Sequence, residues 1–184
     1  MLQVILEEQT PNLAPMNKPS DWVKEHQGEL KEFLKFAKNH GHAVGVASNQ
    51  VSRDGERIKD RYAGIKIDGK WVIAVDPKII QMKGDPVECD EGCLTWPGKT
   101  IVAKRYPEIK VEFYTLEGNM HTRDVGNKFE AQVWQHEINH LNGVEEQVFE
   151  DGFRTVRRTQ PKISRNSLCS CNSGKKYKHC CMRK

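Results

Sequence analysis

Two histidines four residues apart, His136 and His140, with Glu137 directly after the first, form an HExxH pattern inside VWQHEINHLNG, residues 133–143. On an α-helix, positions i and i+4 point the same way, one turn apart. Two imidazoles so placed suit one zinc or iron ion, and the neighbouring carboxylate suits a base acting on a water at that ion. A catalytic centre needs a third protein ligand and one open position. Downstream, Glu145, Glu146, Glu150 and Asp151 lie within one short segment, with no second helix to carry them back. Upstream, Cys93 sits in the glycine-containing stretch ECDEGCLTWPG, residues 88–98, between two strand-like segments. A thiolate from such a turn would complete a Cys-His-His site; the competing reading is a small buried core cysteine.

The helix that must carry the histidines is predicted over residues 127–141. Phe129, Val133, His136 and His140 fall on one face, and Trp134, Ile138 and Leu141 on another. Apolar groups on both sides predict a helix buried in the middle of the fold. An earlier amphipathic helix is predicted over residues 21–40, with Trp22, Leu30, Phe33, Leu34 and Ala37 at helical spacing, Ser20 or Asp21 as N-cap and Gly41 past its end. Between the helices lie strand patterns. Asp68-Gly69 is a hairpin signal between IKI and KWVIAV, and Glu117-Gly118-Asn119 is a turn between KVEFYTL and MHTRDV. Pro77 is expected to limit how far the strand before it can pair. Residues 41–52 suit a loop or short strand close to a ligand, and no internal repeat is present. Helix, several strands, then helix is an α+β pattern.

Charged residues make up 29% of the 184-residue chain and hydrophobic ones 37%, ordinary for one globular domain with a small appendage. No apolar run approaches the roughly 18 residues of a membrane span. Residues 1–20 lack the basic flank and cleavage site of a signal peptide, so a cytoplasmic protein with no membrane association is expected. In that setting six cysteines point to metal or catalysis rather than disulfides. Net charge divides sharply. Residues 151–184 hold ten Lys/Arg against Asp151 alone, a balance of +9, while the remainder holds nineteen basic and twenty-four acidic residues, a balance of −5. Such a basic tail favours a polyanion or an acidic surface, if it is not simply solvated.

The stretches AVGVASNQ (43–50), EGCLT (91–95) and QHEINHLNG (135–143) resemble, in order and spacing, the GxGLAAxQ, EGCLS and QHExDHLxG motifs of the peptide deformylases. The likeness covers about residues 22–150 and implies an α+β fold with antiparallel sheets around a central metal-binding helix. It further implies that Cys93, His136 and His140 hold Fe²⁺, with Zn²⁺ or Ni²⁺ able to take its place. Glu137 would take a proton from the attacking water and pass it to the leaving amine. Gln50 would donate from its side-chain amide, and Leu94 from its backbone N–H, to the formyl oxygen. Gly45 and Gly92 would present backbone groups to an extended N-formylmethionyl peptide, and Val44, Glu91, Phe129 and Val133 would surround the methionine side chain. Ala43, Val46, Ser48, Thr95 and Asn139 depart from the family pattern without removing a catalytic group. Thr100 stands where many members have arginine, Arg105 is placed to fill a second basic position, and the family's PDPxLR-like entry is not recognisable. A zincin-like metallopeptidase would need a downstream ligand instead of Cys93, and a non-catalytic binding protein would not need Glu137 or Gln50.

A second constellation closes the chain. In NSLCSCNSGKKYKHCCMRK, residues 166–184, Cys169, Cys171, Cys180 and Cys181 stand within thirteen residues, which suits tetrahedral structural zinc. So short a segment has no core of its own, so Zn²⁺ would supply its folding energy. The stretch is similar to the SEC-C motif, which docks a partner at the end of the bacterial preprotein-translocase ATPase. The expected organisation is a catalytic body over residues 1–150, a basic linker over 151–165 and a zinc knuckle over 166–184. The body is expected to be a monomer acting on nascent peptides, and the tail to dock the ribosome or a partner protein.

Overall fold

The computed structural model describes residues 1–144, the backbone of residues 147–149 and residue 176. Along the chain run β1 (Leu2–Val4), α1 (Pro19–Glu25), α2 (Gln27–Asn39), β2 (Gly45–Ala47), β3 (Val51–Arg53), β4 (Glu56–Arg57), β5 (Tyr62–Ile67) and β6 (Lys70–Lys83). There follow β7 (Val87–Glu91), β8 (Thr100–Arg105), β9 (Glu108–Tyr114), β10 (Met120–Val125), α3 (Lys128–Leu141) and β11 (Gln147–Phe149). A single 3₁₀ turn, Ser48–Gln50, links β2 to β3. Among the described residues, every strand pairing is antiparallel. The main sheet has the order β10-β9-β6-β5-β2, and two three-stranded sheets have the orders β11-β8-β7 and β1-β3-β4.

The main sheet buries both faces, so alternate residues of one strand enter different cores. On β5, Ala63, Ile65 and Ile67 pack toward α3, with Trp134, Ile138 and Leu141. Tyr62 packs the other way, with Phe33 and Leu30 of α2 and Val23 of α1. α3 therefore lies between the main sheet and β8 of the second sheet, as its apolar residues on two faces predict. Among the described residues, no helix is long and apolar enough to cross a membrane.

Three expectations are corrected. The helix predicted over 21–40 is two helices, broken at His26. The Gln27 side-chain amide donates to the Val23 carbonyl at 3.0 Å, and His26 Nδ1 lies 2.8 Å from the Trp22 carbonyl. The Gln27 side chain takes up the Val23 carbonyl that a continuous helix would give to a backbone N–H, whereas the Trp22 carbonyl still accepts from the His26 N–H at 3.0 Å. The first helix starts at Pro19, the position where a missing N–H costs nothing, rather than after Ser20 or Asp21. Pro77 does not end its strand: β6 runs on to Lys83, with its register on β9 shifted between Val75 and Lys78. Asp76 there takes φ 49°, and the bulge absorbs the missing donor.

Candidate metal centre

α3 starts where Asn127 places its side-chain oxygen 3.0 Å from the Phe129 N–H and 3.1 Å from the Glu130 N–H, capping two orphan donors. Its far end is held by Arg61, whose guanidinium donates to the carbonyls of Leu141 (2.9 Å) and Leu13 (3.2 Å) and to the Asn142 side chain (2.8 Å). Arg61 is buried and balanced by buried Asp76 at 3.3 Å. Both ends of the helix are thus fixed, and with them the direction of His136 and His140.

The Nε2 atoms of the two histidines face each other at 3.1 Å, and Cys93 Sγ lies 3.3 Å from His140 Nε2. All three donor atoms fall within 4.8 Å of one another. Cys93 comes from the loop joining β7 to β8, so the third candidate donor lies upstream of the helix.

The partners of the rings fit a metal. His136 Nδ1 lies 2.7 Å from Glu91 Oε2, so that nitrogen carries the proton and Nε2 keeps its lone pair. Arg105 clamps the same carboxylate through two bonds of 2.7 and 2.6 Å. Burial pushes the Glu91 carboxyl upward, but the hydrogen bonds from Arg105 and His136 outweigh it and hold the group down at about 2. Burial, with His136 and Arg105 close by, holds His140 well below the ordinary imidazole range. Its ring is neutral and able to donate electrons. Two imidazole lone pairs and a sulfur converging in a buried space suit a divalent cation of intermediate softness.

Gln50 meets this centre from the 3₁₀ turn. Its Oε1 accepts from the Ala47 N–H at 2.8 Å, which leaves the amide nitrogen pointing inward. That nitrogen lies 3.0 Å from Thr95 Oγ1, 3.0 Å from His140 Nε2 and 3.3 Å from Cys93 Sγ. Glu137 is buried beside Gly45, where a Cβ on residue 45 would come within 2.7 Å of the glutamate's Cγ and Cδ. Only glycine leaves the carboxylate that room.

Above the centre opens a cavity of about 400 Å³ lined by Val44, Gly45, Gln50, Glu91, Gly92, Cys93, Leu94, Phe129, Val133, His136 and Glu137. Every body residue singled out in the sequence meets here, His140 through its contacts with Cys93 and His136. Glu91 lines the wall, but its carboxylate turns to Arg105 and His136 rather than toward a ligand. Phe129, 60% exposed, stands at the mouth. His42, Ala43, Asp90 and Gln132 complete the lining; Ala43 heads AVGVASNQ and Asp90 lies in ECDEGCLTWPG, while nothing in the local sequence marks His42 or Gln132. Cys169, Cys171, Cys180 and Cys181 lie outside the described residues.

Residues 3–147 match the family model of polypeptide deformylase, and residues 165–183 match that of the SEC-C motif. A peptide deformylase of Thermotoga petrophila is 30% identical over 134 residues, covering 73% of this chain and 78% of that protein. The chloroplastic/mitochondrial peptide deformylase 1B of Arabidopsis thaliana is 28% identical over 140 residues, and this match spans 51% of its length. Among solved structures, the deformylase of Vibrio parahaemolyticus bacteriophage VP16T, in complex with actinonin, aligns with a TM-score of 0.61 at 26% identity, covering 77% of this chain and 98% of that one. The Thermotoga maritima enzyme aligns with a TM-score of 0.62 at 22% identity, covering 78% and 93% respectively.

Proposed function

The chain belongs to the polypeptide deformylase family, and we propose that its Cys93–His136–His140 centre hydrolyses the N-formyl group of peptides beginning with formylmethionine, releasing formate. The observation that carries this is the convergence of three metal donors, one buried carboxylate and one inward amide N–H on the floor of a single cavity. The cation is a catalytic one, and we assign it as Fe²⁺, with Zn²⁺ or Ni²⁺ able to replace it. When bound, it supplies a nucleophilic water near neutral pH and polarises the formyl carbonyl.

The protein's own groups do the rest. Val44, Leu94, Phe129 and Val133 offer an apolar wall to the methionine side chain, and Gly45 and Gly92 leave the backbone open to an extended peptide. Gln50, its oxygen tied to Ala47 and its nitrogen free to turn from Thr95, donates to the formyl oxygen as negative charge develops there, and the Leu94 N–H donates beside it. Donors of this kind are worth about 3–4 kcal/mol each. Glu137 takes the proton of the attacking water and returns it to the departing amine. Its buried position keeps bulk water from competing for that proton.

Formate release from formyl-Met-Ala-Ser by anaerobically purified full-length protein, beside Glu137→Ala, tests this reading. Turnover by the wild type alone, with the metal retained in both, is expected. No turnover by a metal-loaded wild type rejects it.

For the tail we propose a Zn²⁺ knuckle on Cys169, Cys171, Cys180 and Cys181, joined by the basic linker 151–165 to a monomeric, cytoplasmic body. Charge supports docking on the ribosome, the polyanion from which formylated chains emerge. Deleting residues 160–184 should weaken co-sedimentation with ribosomes and leave short-peptide hydrolysis intact. Equal co-sedimentation rejects docking.

A further inference from the structure

We infer that Thr10 is a positioning residue of the metal centre, its hydroxyl fixing the orientation and the proton of the His140 ring. The inference rests on His140 being a ligand.

Thr10 is buried. Its Oγ1 lies 2.9 Å from the His140 carbonyl oxygen and 3.3 Å from His140 Nδ1, although 130 positions separate the two residues. A hydroxyl has one proton and a carbonyl can only accept. The Thr10 O–H therefore donates to the His140 carbonyl, and the ring contact requires an Nδ1–H donating to Thr10. Gln50 agrees with the same proton position. Its amide nitrogen can only donate and lies 3.0 Å from His140 Nε2, as well as near Thr95 Oγ1 and Cys93 Sγ, an arrangement that suits a lone pair on that ring nitrogen. The Thr10 contact puts the proton on Nδ1, and the Gln50 contact fits the Nε2 lone pair this leaves among the other donors. Thr10 thus does with a neutral hydroxyl for His140 what Glu91 does with a carboxylate for His136.

The segment carrying Thr10 is fastened on both sides to the pieces that build the centre. The Glu7 N–H donates to the Thr95 carbonyl, the Leu13 N–H to the Leu141 carbonyl, and the Asn49 side chain to the Pro11 carbonyl, each at 2.8 Å. Asn12 bridges to Asn142. Gly143, at φ 61°, admits this close approach, since a Cβ there would lie 2.9 Å from Asn12 Cα and 3.0 Å from the Pro11 carbonyl carbon. The hydroxyl is therefore held by the fold rather than by chance contact.

The test uses the full chain with Cys169, Cys171, Cys180 and Cys181 each replaced by Ser, so that only the helix centre is read. This parent and its Thr10 variants are stripped and titrated with Co²⁺ against a competing chelator, following the thiolate-to-cobalt and d–d absorption. Thr10→Val, which keeps the shape and removes the hydroxyl, is expected to bind Co²⁺ about 10- to 100-fold more weakly and with a shifted d–d envelope. Thr10→Ser is expected to titrate like the parent. Equal binding by Thr10→Val overturns the inference, as does a loss in Thr10→Ser as large as in Thr10→Val, which would assign the effect to packing of the methyl group. A parent that binds no Co²⁺ overturns the ligand assignment beneath the inference, and the inference with it. Long-range ¹H–¹⁵N spectra of the metal-free parent need no variant to fold: a proton on His140 Nδ1 is expected, and a proton on Nε2 overturns the inference.

Discussion

Replacing Gly45 by alanine separates catalysis from stability. Gly45 lies in β2, paired with Ile65, in extended backbone that any residue adopts. Alanine there costs nothing in the backbone and gains about 0.5–1 kcal/mol from the lost freedom of glycine in the unfolded chain. The new Cβ would lie 2.7 Å from Glu137 Cγ and Cδ, and closer still to Oε1, where ordinary contact begins at 3.4 Å. The difference, 3.4 − 2.7 = 0.7 Å, is the least distance those atoms must move. The atoms in the way are the far end of a side chain, so the fold can accommodate the methyl by turning Glu137 aside. The proton carrier is then displaced by nearly 1 Å, and misplacement on that scale costs about 100-fold in rate, or about 2.7 kcal/mol of barrier. The expected outcome is a kcat for formyl-Met-Ala-Ser reduced about 100-fold, a midpoint in urea no lower than the wild type, and an unchanged metal content. A kcat within about threefold of the wild type, well short of what a general acid–base contributes, would refute the assignment of that carboxylate. A large fall in stability with kcat per folded molecule preserved would show that Gly45 serves packing instead.

Glu91→Gln should leave the Arg105 guanidinium buried without its counter-charge and loosen His136, destabilising the protein by about 3–5 kcal/mol and lowering the metal bound per chain after dialysis. Urea melts and metal analysis on one preparation check both effects. Arg61→Leu, by stranding the buried Asp76 carboxylate and the last carbonyls of α3, should cost a similar 3–5 kcal/mol. Adding Asp76→Asn should recover part of that loss, and a urea-denaturation double-mutant cycle measures it. Asn127→Ala removes the N-cap of α3, at one end of the helix and away from the metal ligands. It should lower stability by about 1 kcal/mol while kcat at 25 °C stays unchanged.

Local signals were legible wherever the cause was local. The Asp68-Gly69 and Glu117–Asn119 turns join β5 to β6 and β9 to β10 as expected, and the capped helix over 128–141 is within one residue of its predicted start. The candidate metal donors could be singled out because HExxH spacing is a property of one helix and Cys93 stands in one short loop. What could not be read depends on distant partners. The break at His26 involves Gln27 reaching Leu116 as well as Val23. The continuation of β6 past Pro77 depends on β9, and on Arg61, which pairs with Asp76 at the positive-φ corner and donates to the Pro77 carbonyl. Thr10 is unremarkable in sequence, and Arg105 is marked there only by a resemblance that does not name its partners. Each acquires its role from a histidine on α3, at a separation no periodicity records.

Charge balance explains why the two histidines receive different supports. Glu91 and Arg105 are both buried and cancel each other. Around the donors this leaves Cys93, which would ligate as a thiolate, and Glu137, which must be a carboxylate to act as a base. The sum is −2, and a divalent cation neutralises it, so charge is buried only in compensated form. A second carboxylate at position 10 would orient His140 as well as a hydroxyl does, but would add an uncompensated charge to a buried site. Thr10 orients without charging. When Glu137 accepts a proton from the attacking water, charge moves within the cavity without changing its total, so the low-dielectric surroundings that make the site expensive to ionise do not oppose that transfer.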